Sequence, residues 1–201
     1  MQEHNKASAW FESLYKENIN SQENIPWARL EVNPILSAHL KGHSVIGKKA
    51  LVIGCGLGDD AVALESAGCE VVAIDVSQTA LDLAKERFKG SKVKFIKQDI
   101  FDMPLKYFEY FDFIFESLTI QSLPREFREK MIKAISKTVS KNGEILVVAH
   151  QFNGNTKGPP WPLKKEEIDL FVRHNLKEIS FEIIDETSKI SDRKFKVLYK
   201  K

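Results

Sequence analysis

The chain has little cysteine, little net charge and no long apolar run. Its 201 residues carry two cysteines, Cys55 and Cys69, with no CxxC pair and no histidine at ligand spacing. That excludes a disulfide framework and a zinc finger; no metal site is expected, and reduced, buried thiols in a cytoplasmic protein are. Thirty Lys and Arg stand against 28 Asp and Glu, a net charge of +2, which disfavours a strongly basic nucleic-acid binder. The runs Ala50–Ile53, Val71–Ile74 and Ile145–Ala149 are far too short to span a bilayer. Met1–Asn20 is polar and lacks the apolar core of a signal peptide. Repeats and low-complexity segments are also missing. With 43% hydrophobic residues, the length suits one ordinary folded domain.

What is present is an alternation of short apolar runs with amphipathic stretches. Strands are expected at Ala50–Gly54, Glu70–Asp75, Lys92–Lys97, Phe111–Phe115, Glu144–Ala149, Glu178–Ile184 and Lys194–Tyr199. Helices are expected at Leu57–Ala67, behind an N-cap at Ser77, from Pro124 to Val139, and over Leu163–His174. Asn142-Gly143 reads as a turn, and a polar turn around Ser188–Asp192 joins the last two strands. Strands alternating with helices predict a parallel sheet covered on both faces, an α/β Rossmann-like three-layer sandwich. The last two strands have no helix between them, so they form an antiparallel hairpin. Residues 1–45 read as a helical cap, with Trp10, Phe11, Leu14 and Tyr15 on one stripe; residues 46–201 hold the sheet.

The chemistry concentrates in Gly54-Cys55-Gly56-Leu57-Gly58, between a strand and a helix. Glycines there allow a tight turn and close approach of backbone to a ligand, and the helix start offers free N–H groups. Asp75 and Asp99 end the next two strands, and an acid about twenty residues past the glycines can accept ribose hydroxyls. The pattern points to an adenosine-containing cofactor. A dinucleotide loop, GxGxxG, needs its third glycine at 59; here that position is Asp59, followed by Asp60. Two acids repel a pyrophosphate. A cofactor without phosphate, carrying cationic groups, suits the loop better.

These segments, with Ala73–Ser77, Gln98–Phe101, Phe111–Leu118 and Ser140–Glu144, make the sequence resemble a class I S-adenosylmethionine-dependent methyltransferase. The resemblance implies a seven-stranded, mostly parallel sheet with an antiparallel last strand. It implies S-adenosyl-L-methionine as cofactor, held by Gly54, Cys55, Gly56 and Gly58 at its methionine part, by Asp75 at the ribose, and by Val76, Asp99 and Ile100 around the adenine. Glu116, Ser117 and Leu118 correspond to the segment facing the transferred methyl, and Glu116 and Ser117 are thereby expected at the cofactor. Where the family often has an acid two residues before the first glycine, this chain has Val52.

A narrower resemblance rests on Gly158-Pro159-Pro160-Trp161-Pro162, together with Trp10 and Pro26-Trp27. These are similar to the proline-aromatic loop and aromatic lid of the thiopurine, halide and thiol methyltransferases. Trp10 is thereby expected at the cofactor, and Trp27, Leu118, Pro160 and Trp161 around a small substrate. A thiolate meeting a sulfonium methyl needs alignment more than proton transfer, and alignment alone supplies roughly 7–11 kcal/mol. Glu116 and His150 are the candidate bases if one is used. A small-molecule partner, no nucleic acid or membrane, and a monomer or weak dimer complete the expectation. Glu116-Ser117-Leu118-Thr119 is not the (D/N)PP(Y/F) signature, which removes amino-directed DNA and glutamine methylation. A methyltransferase of a larger metabolite or macromolecule, a non-catalytic sensor of adenosine compounds and an NAD-dependent oxidoreductase are the alternatives.

Overall fold

The computed structural model describes residues 3–152, 154, 157–185 and 193–201, with the side chains of residues 3–5 excepted. The expected turn around Ser188–Asp192 lies outside the described residues but for its neighbour Arg193. Two compact units make up the chain, Met1–Asp102 and Met103–Lys201.

In the first unit, helix α1 (Glu3–Glu17) and α2 (Pro34–Gly42) precede β1 (Lys49–Ile53), α3 (Asp59–Ser66), β2 (Glu70–Asp75), α4 (Gln78–Arg87) and β3 (Lys94–Lys97). Strands β1, β2 and β3 pair in parallel, with Ile53 opposite Ile74 and Asp75 opposite Lys97. Both faces of β1 and β2 are apolar and buried, as a sheet covered by helices requires. The start of α2 is fixed by Asn33, whose side chain accepts from the Ile35 amide, with Pro34 in the first turn. Ser77 caps α4 by accepting from the Ala80 amide at 3.0 Å, as its sequence position predicts.

The second unit holds β4 (Phe111–Ser117), α5 (Arg128–Thr138), β5 (Val139–His150), the short helices α6 (Lys165–Ile168) and α7 (Leu170–Arg173), β6 (Lys177–Asp185) and β7 (Arg193–Lys200). β4 and β5 run parallel, while β7 is antiparallel to both β5 and β6. The seven strands follow the order β3-β2-β1-β4-β5-β7-β6, the Rossmann-like arrangement the sequence implied. Phe111, Phe113, Phe115, Phe171 and Tyr199 fill the core of the second unit. Each such side chain removed from water contributes roughly 1.5–3 kcal/mol.

Three local expectations change. Asn142-Gly143 is not a turn before a strand but an irregularity inside a twelve-residue one: Phe111 pairs with Val139, and the next registered pair is Phe113 with Glu144. Gly143 is needed there because a Cβ would stand 2.7 Å from the Phe111 carbonyl. The helix expected over Leu163–His174 is two helices broken at Asp169. Pro124 opens a 3-10 turn, Arg125–Phe127, and the α-helix begins only at Arg128.

Candidate functional site

The glycine loop and the end of β2 are one hydrogen-bonded assembly in the first unit. Asp75, buried, accepts from the Gly56 amide through Oδ2 and from the Ser77 amide through Oδ1, both at 2.9 Å. Burial pushes its carboxyl above the usual range, against the pull of these amides. The Cys55 amide donates to the Ile74 carbonyl and the Gly58 amide to the Cys55 carbonyl, each at 3.0 Å. Gly58 has a φ of 90°, and a Cβ there would press on Ala84 and the Phe95 ring at 3.0–3.1 Å. At Gly56 a Cβ would stand 2.9 Å from the Tyr15 hydroxyl. Only glycine fits between these neighbours.

Helix α1 is tied to the same place by Glu12. Its carboxylate accepts from the Ser77 hydroxyl at 2.7 Å, the Thr79 hydroxyl at 2.8 Å and the Thr79 amide at 3.2 Å. Desolvation raises the Glu12 carboxyl, but these bonds and Lys16 outweigh it and bring it down to about 2. The anion stands at the start of α4, where the helix dipole also favours it. The helix thereby brings an aromatic cluster to the loop. Trp10 stacks on Phe11 at 4.1 Å and meets Trp27 edge-on at 5.6 Å, and Trp27 Nε1 donates to the Tyr15 hydroxyl at 2.9 Å. Trp27, expected around the substrate, belongs with Trp10 in this cluster.

The remaining acids of the first unit are also engaged. Asp59 is held by Arg87 through two bonds of 2.6 and 2.7 Å, so its charge is neutralised and the repulsion expected of it is not available. Asp60 accepts from the Asn33 amide at 2.8 Å, and burial pushes it up to about 6. Asp99 is half-buried and accepts from the Phe101 amide at 2.9 Å, with buried Ile100 between. Val76 is half-buried beside Asp75. Cys55 is buried and its thiol is pushed well up, by burial first and by Asp75, which makes it a packing residue and not a nucleophile.

The second unit carries a different arrangement. Glu116 and Ser117 end β4. Glu116 is fully buried; its Oε1 accepts from the amides of Thr119 at 2.8 Å and Ile120 at 2.9 Å, and its Oε2 has no hydrogen-bond partner among the described residues. Burial pushes the carboxyl up to about 7, against those two amides. Leu118, between them, has a φ of 64°, a conformation that a leucine rarely adopts. Buried Gln121 accepts from the His150 amide at 2.6 Å through its side chain and from the Trp161 amide at 2.7 Å through its carbonyl. Trp161 packs on Gly158, where a Cβ would stand 2.4 Å from its ring, and Pro160 is exposed. Arg128, also buried, donates to the carbonyls of Trp161 and Pro162 and pairs with Glu167. Glu12, Gln121 and Arg128 carry no signal in the sequence; the partners that tie them to the site are 29 to 67 residues away.

The loop geometry fits S-adenosylmethionine better than a dinucleotide. The amides of Cys55, Gly56 and Gly58 are taken by groups within the assembly, which leaves them unavailable to a pyrophosphate. The neighbouring Asp75, Glu12 and Asp60 carboxyls match a cationic, phosphate-free ligand.

Fold, loop and carboxylates together define an S-adenosylmethionine-dependent methyltransferase. Residues 16–197 match the thiopurine S-methyltransferase family, and the chain belongs to it. It is 30% identical over 162 residues to thiocyanate methyltransferase 1 of Brassica oleracea, covering 78% of this chain and 71% of that one. It is 26% identical over 148 residues to probable thiol methyltransferase 2 of Arabidopsis thaliana, covering 72% of this chain and 65% of that one. Among solved structures it shares the fold of the N-methyltransferase NodS from Bradyrhizobium japonicum in complex with S-adenosyl-L-homocysteine, at a TM-score of 0.75 and 20% identity over 94% of this chain and 96% of that one. The Burkholderia thailandensis 1,6-didemethyltoxoflavin-N1-methyltransferase has the same fold, with a TM-score of 0.75 and 15% identity over 100% of this chain and 91% of that one. Among the described residues no group of three or more metal-ligating side chains occurs, and no helix is long and apolar enough to cross a membrane.

Proposed function

We propose that this methyltransferase acts on a sulfur, or a similarly soft atom, of a small molecule in the cytoplasm. The observation that carries the reading is the similarity to thiocyanate and thiol methyltransferases over more than seven tenths of the chain. The reading takes residues 1–201 as one methyltransferase domain, with residues 1–45 as its cap, and as a monomer or weak dimer.

In the first unit, Asp75 is assigned to the ribose hydroxyls, using the lone pairs that its two amide contacts leave. Val76, Asp99 and Ile100 border the adenine, and Gly54, Cys55, Gly56 and Gly58 give the methionine part a flat bed. Trp10 covers that bed, held there by the Glu12 tie. Bound S-adenosylmethionine supplies a methyl group on a cationic sulfur, which a soft anion takes by direct displacement. In the second unit, Glu116 holds the turn after β4 and so presents Ser117 and Leu118, while Pro160, Trp161 and His150 border the acceptor.

The carboxylates of the first unit are committed to the fold, which suits a reaction without an obligatory base. Glu12, Asp59 and Asp60 each accept hydrogen bonds that hold the fold. An acceptor that is already an anion needs nothing from them, and a dry aromatic surround strengthens its attack by excluding water. The test is turnover of methyl-labelled S-adenosylmethionine with a panel of thiols, thiocyanate, halides, amines and hydroxyl compounds. Methylation of thiols or thiocyanate at least tenfold above amines and hydroxyls is expected. A preference for an amine or hydroxyl would overturn the reading.

A further inference from the structure

The segment Pro159-Pro160-Trp161-Pro162 has an unusual deficit. Three of its four residues lack a backbone N–H, so it has a single main-chain donor with which to tie itself down. Its one N–H, at Trp161, is taken by the carbonyl of Gln121 at 2.7 Å. Its carbonyls at Trp161 and Pro162 are taken by the guanidinium of Arg128. Both anchoring residues are almost completely buried, Gln121 at 1% exposure and Arg128 at 3%.

The anchors are themselves held. Gln121 uses its side-chain oxygen to accept from the His150 amide, which joins the end of β5 to the same point. Arg128 is paired with Glu167, and Glu167 accepts from the Lys164 amide at 2.7 Å at the start of α6. A planar guanidinium with five donors can serve two carbonyls and a carboxylate at once; an ammonium of similar charge cannot do so in that geometry. The main chain around Trp161 is therefore held by the Arg128 side chain and by the Gln121 carbonyl, both outside the proline segment.

We propose that Gln121 and Arg128 are positioning residues that set acceptor preference by fixing the main chain around Trp161. This rests on the reading that Trp161 borders the acceptor. The two residues do not touch the cofactor loop's own hydrogen bonds, which lie wholly within the first unit. Their loss should change which acceptor is used while leaving cofactor affinity in place.

The experiment compares wild type with Arg128→Lys, which keeps the charge and loses the fork, and Gln121→Met, which keeps the volume and frees the Gln121 main chain, whose carbonyl holds Trp161, from its side-chain tie to the His150 amide. Three quantities are read: amide hydrogen exchange at Trp161 and Leu163, affinity for S-adenosylhomocysteine by calorimetry, and kcat and KM for the two best wild-type acceptors, whatever atom they carry. In Arg128→Lys, exchange at Trp161 should rise at least tenfold, and the ratio of kcat/KM between the two acceptors should shift at least fivefold, mainly through KM. S-adenosylhomocysteine affinity should stay within twofold. Gln121→Met should give the same pattern with smaller shifts, and it decides the matter if Arg128→Lys fails to fold. Unchanged exchange overturns the proposal. So does an equal fall in kcat for both acceptors with KM and their ratio unchanged. If the two best acceptors prove to be amines or hydroxyls, the thiol reading fails, but the same ratio still tests the positioning role.

Discussion

The glycine-loop assembly of the first unit and the region after β4 in the second differ in how their polar groups are satisfied. In the first, Asp75 spends both oxygens on amides and Glu12 gathers three donors. Arg87 closes on Asp59 and the Leu57 carbonyl together. In the second, one oxygen of Glu116 takes two amides and the other takes none, and a proline-rich segment is anchored by the Arg128 side chain and the Gln121 carbonyl. A buried charge with an unmatched oxygen is costly in a low-dielectric surround, whereas a fully matched one is rigid. On the proposed reading the cofactor meets a preformed cradle, and the acceptor meets a segment anchored by groups outside itself.

The strongest way to break this contrast is to empty the cradle. Asp75→Ala strands two buried amides, at Gly56 and Ser77, and removes the ribose acceptor assigned to it. Each lost or stranded bond costs about 1–3 kcal/mol. Calorimetry should show S-adenosylhomocysteine affinity falling roughly 1000-fold, about 4 kcal/mol. Asp75→Asn, which can still accept one amide, should fall less. Binding within tenfold of wild type in the alanine variant would mean that the cradle is not preformed by this carboxylate.

Next in size is Glu116, where the contrast can be read by pH. Its carboxyl lies at about 7 in the fold against an ordinary 4.5. A folded pKa raised above the unfolded one gives stability that is full below pH 4.5 and declines until pH about 7. Glu116→Gln has no charge to bury and keeps an oxygen for the amides of Thr119 and Ile120. Its stability relative to wild type should therefore improve from pH 5 to pH 8 by up to about 3 kcal/mol, measured by denaturant unfolding. A constant difference across that range would show that Glu116 is not the half-matched group described here.

Glu12 gives a smaller effect of opposite sign. Its carboxyl is brought down to about 2, so its stabilisation is full above pH 4.5 and is lost as pH falls toward 2. Glu12→Gln should weaken S-adenosylhomocysteine binding about tenfold at pH 7, roughly 1.4 kcal/mol, by loosening α1 and its Trp10–Tyr15 cluster from the loop. The stability gap to wild type should narrow on acidification below pH 4.5. Unchanged affinity would detach the aromatic cluster from cofactor binding.

How far each region could be read in the sequence follows from the range of its interactions. The glycine spacing, the acid ending β2 and the Ser77 cap are local features that stand where expected, with Asp75 reaching back only 19 residues to Gly56, while Asp99 lies two residues past the end of β3. The ties that complete the site are long-range. Glu12 reaches Ser77 across 65 residues and Arg128 reaches Glu167 across 39, and no period or motif marks either. The acidic pair after Gly58 shows the same limit: only the fold reveals that Arg87 neutralises Asp59. Asn142-Gly143 misled for a related reason. Its turn chemistry is real, with Asn142 at a φ of 66°, but pairing with β7 and the C-terminal Lys201 keeps it inside β5.

The smallest effect belongs to Cys55, the one reactive residue type in the cradle. Its thiol is buried, its pKa is raised by burial and by Asp75, and it makes a long contact of 4.0 Å to the Gly56 carbonyl. Such a group packs and does not react. Cys55→Ala removes one sulfur from the core and should cost about 1 kcal/mol of stability, with kcat and both KM values within twofold of wild type. The native enzyme should also resist thiol alkylation at Cys55 until it is unfolded, which mass spectrometry would follow. Loss of turnover in Cys55→Ala with cofactor affinity intact would mean that the cradle holds a chemical participant, and the division between a cradle that only binds and a separate acceptor side would no longer stand.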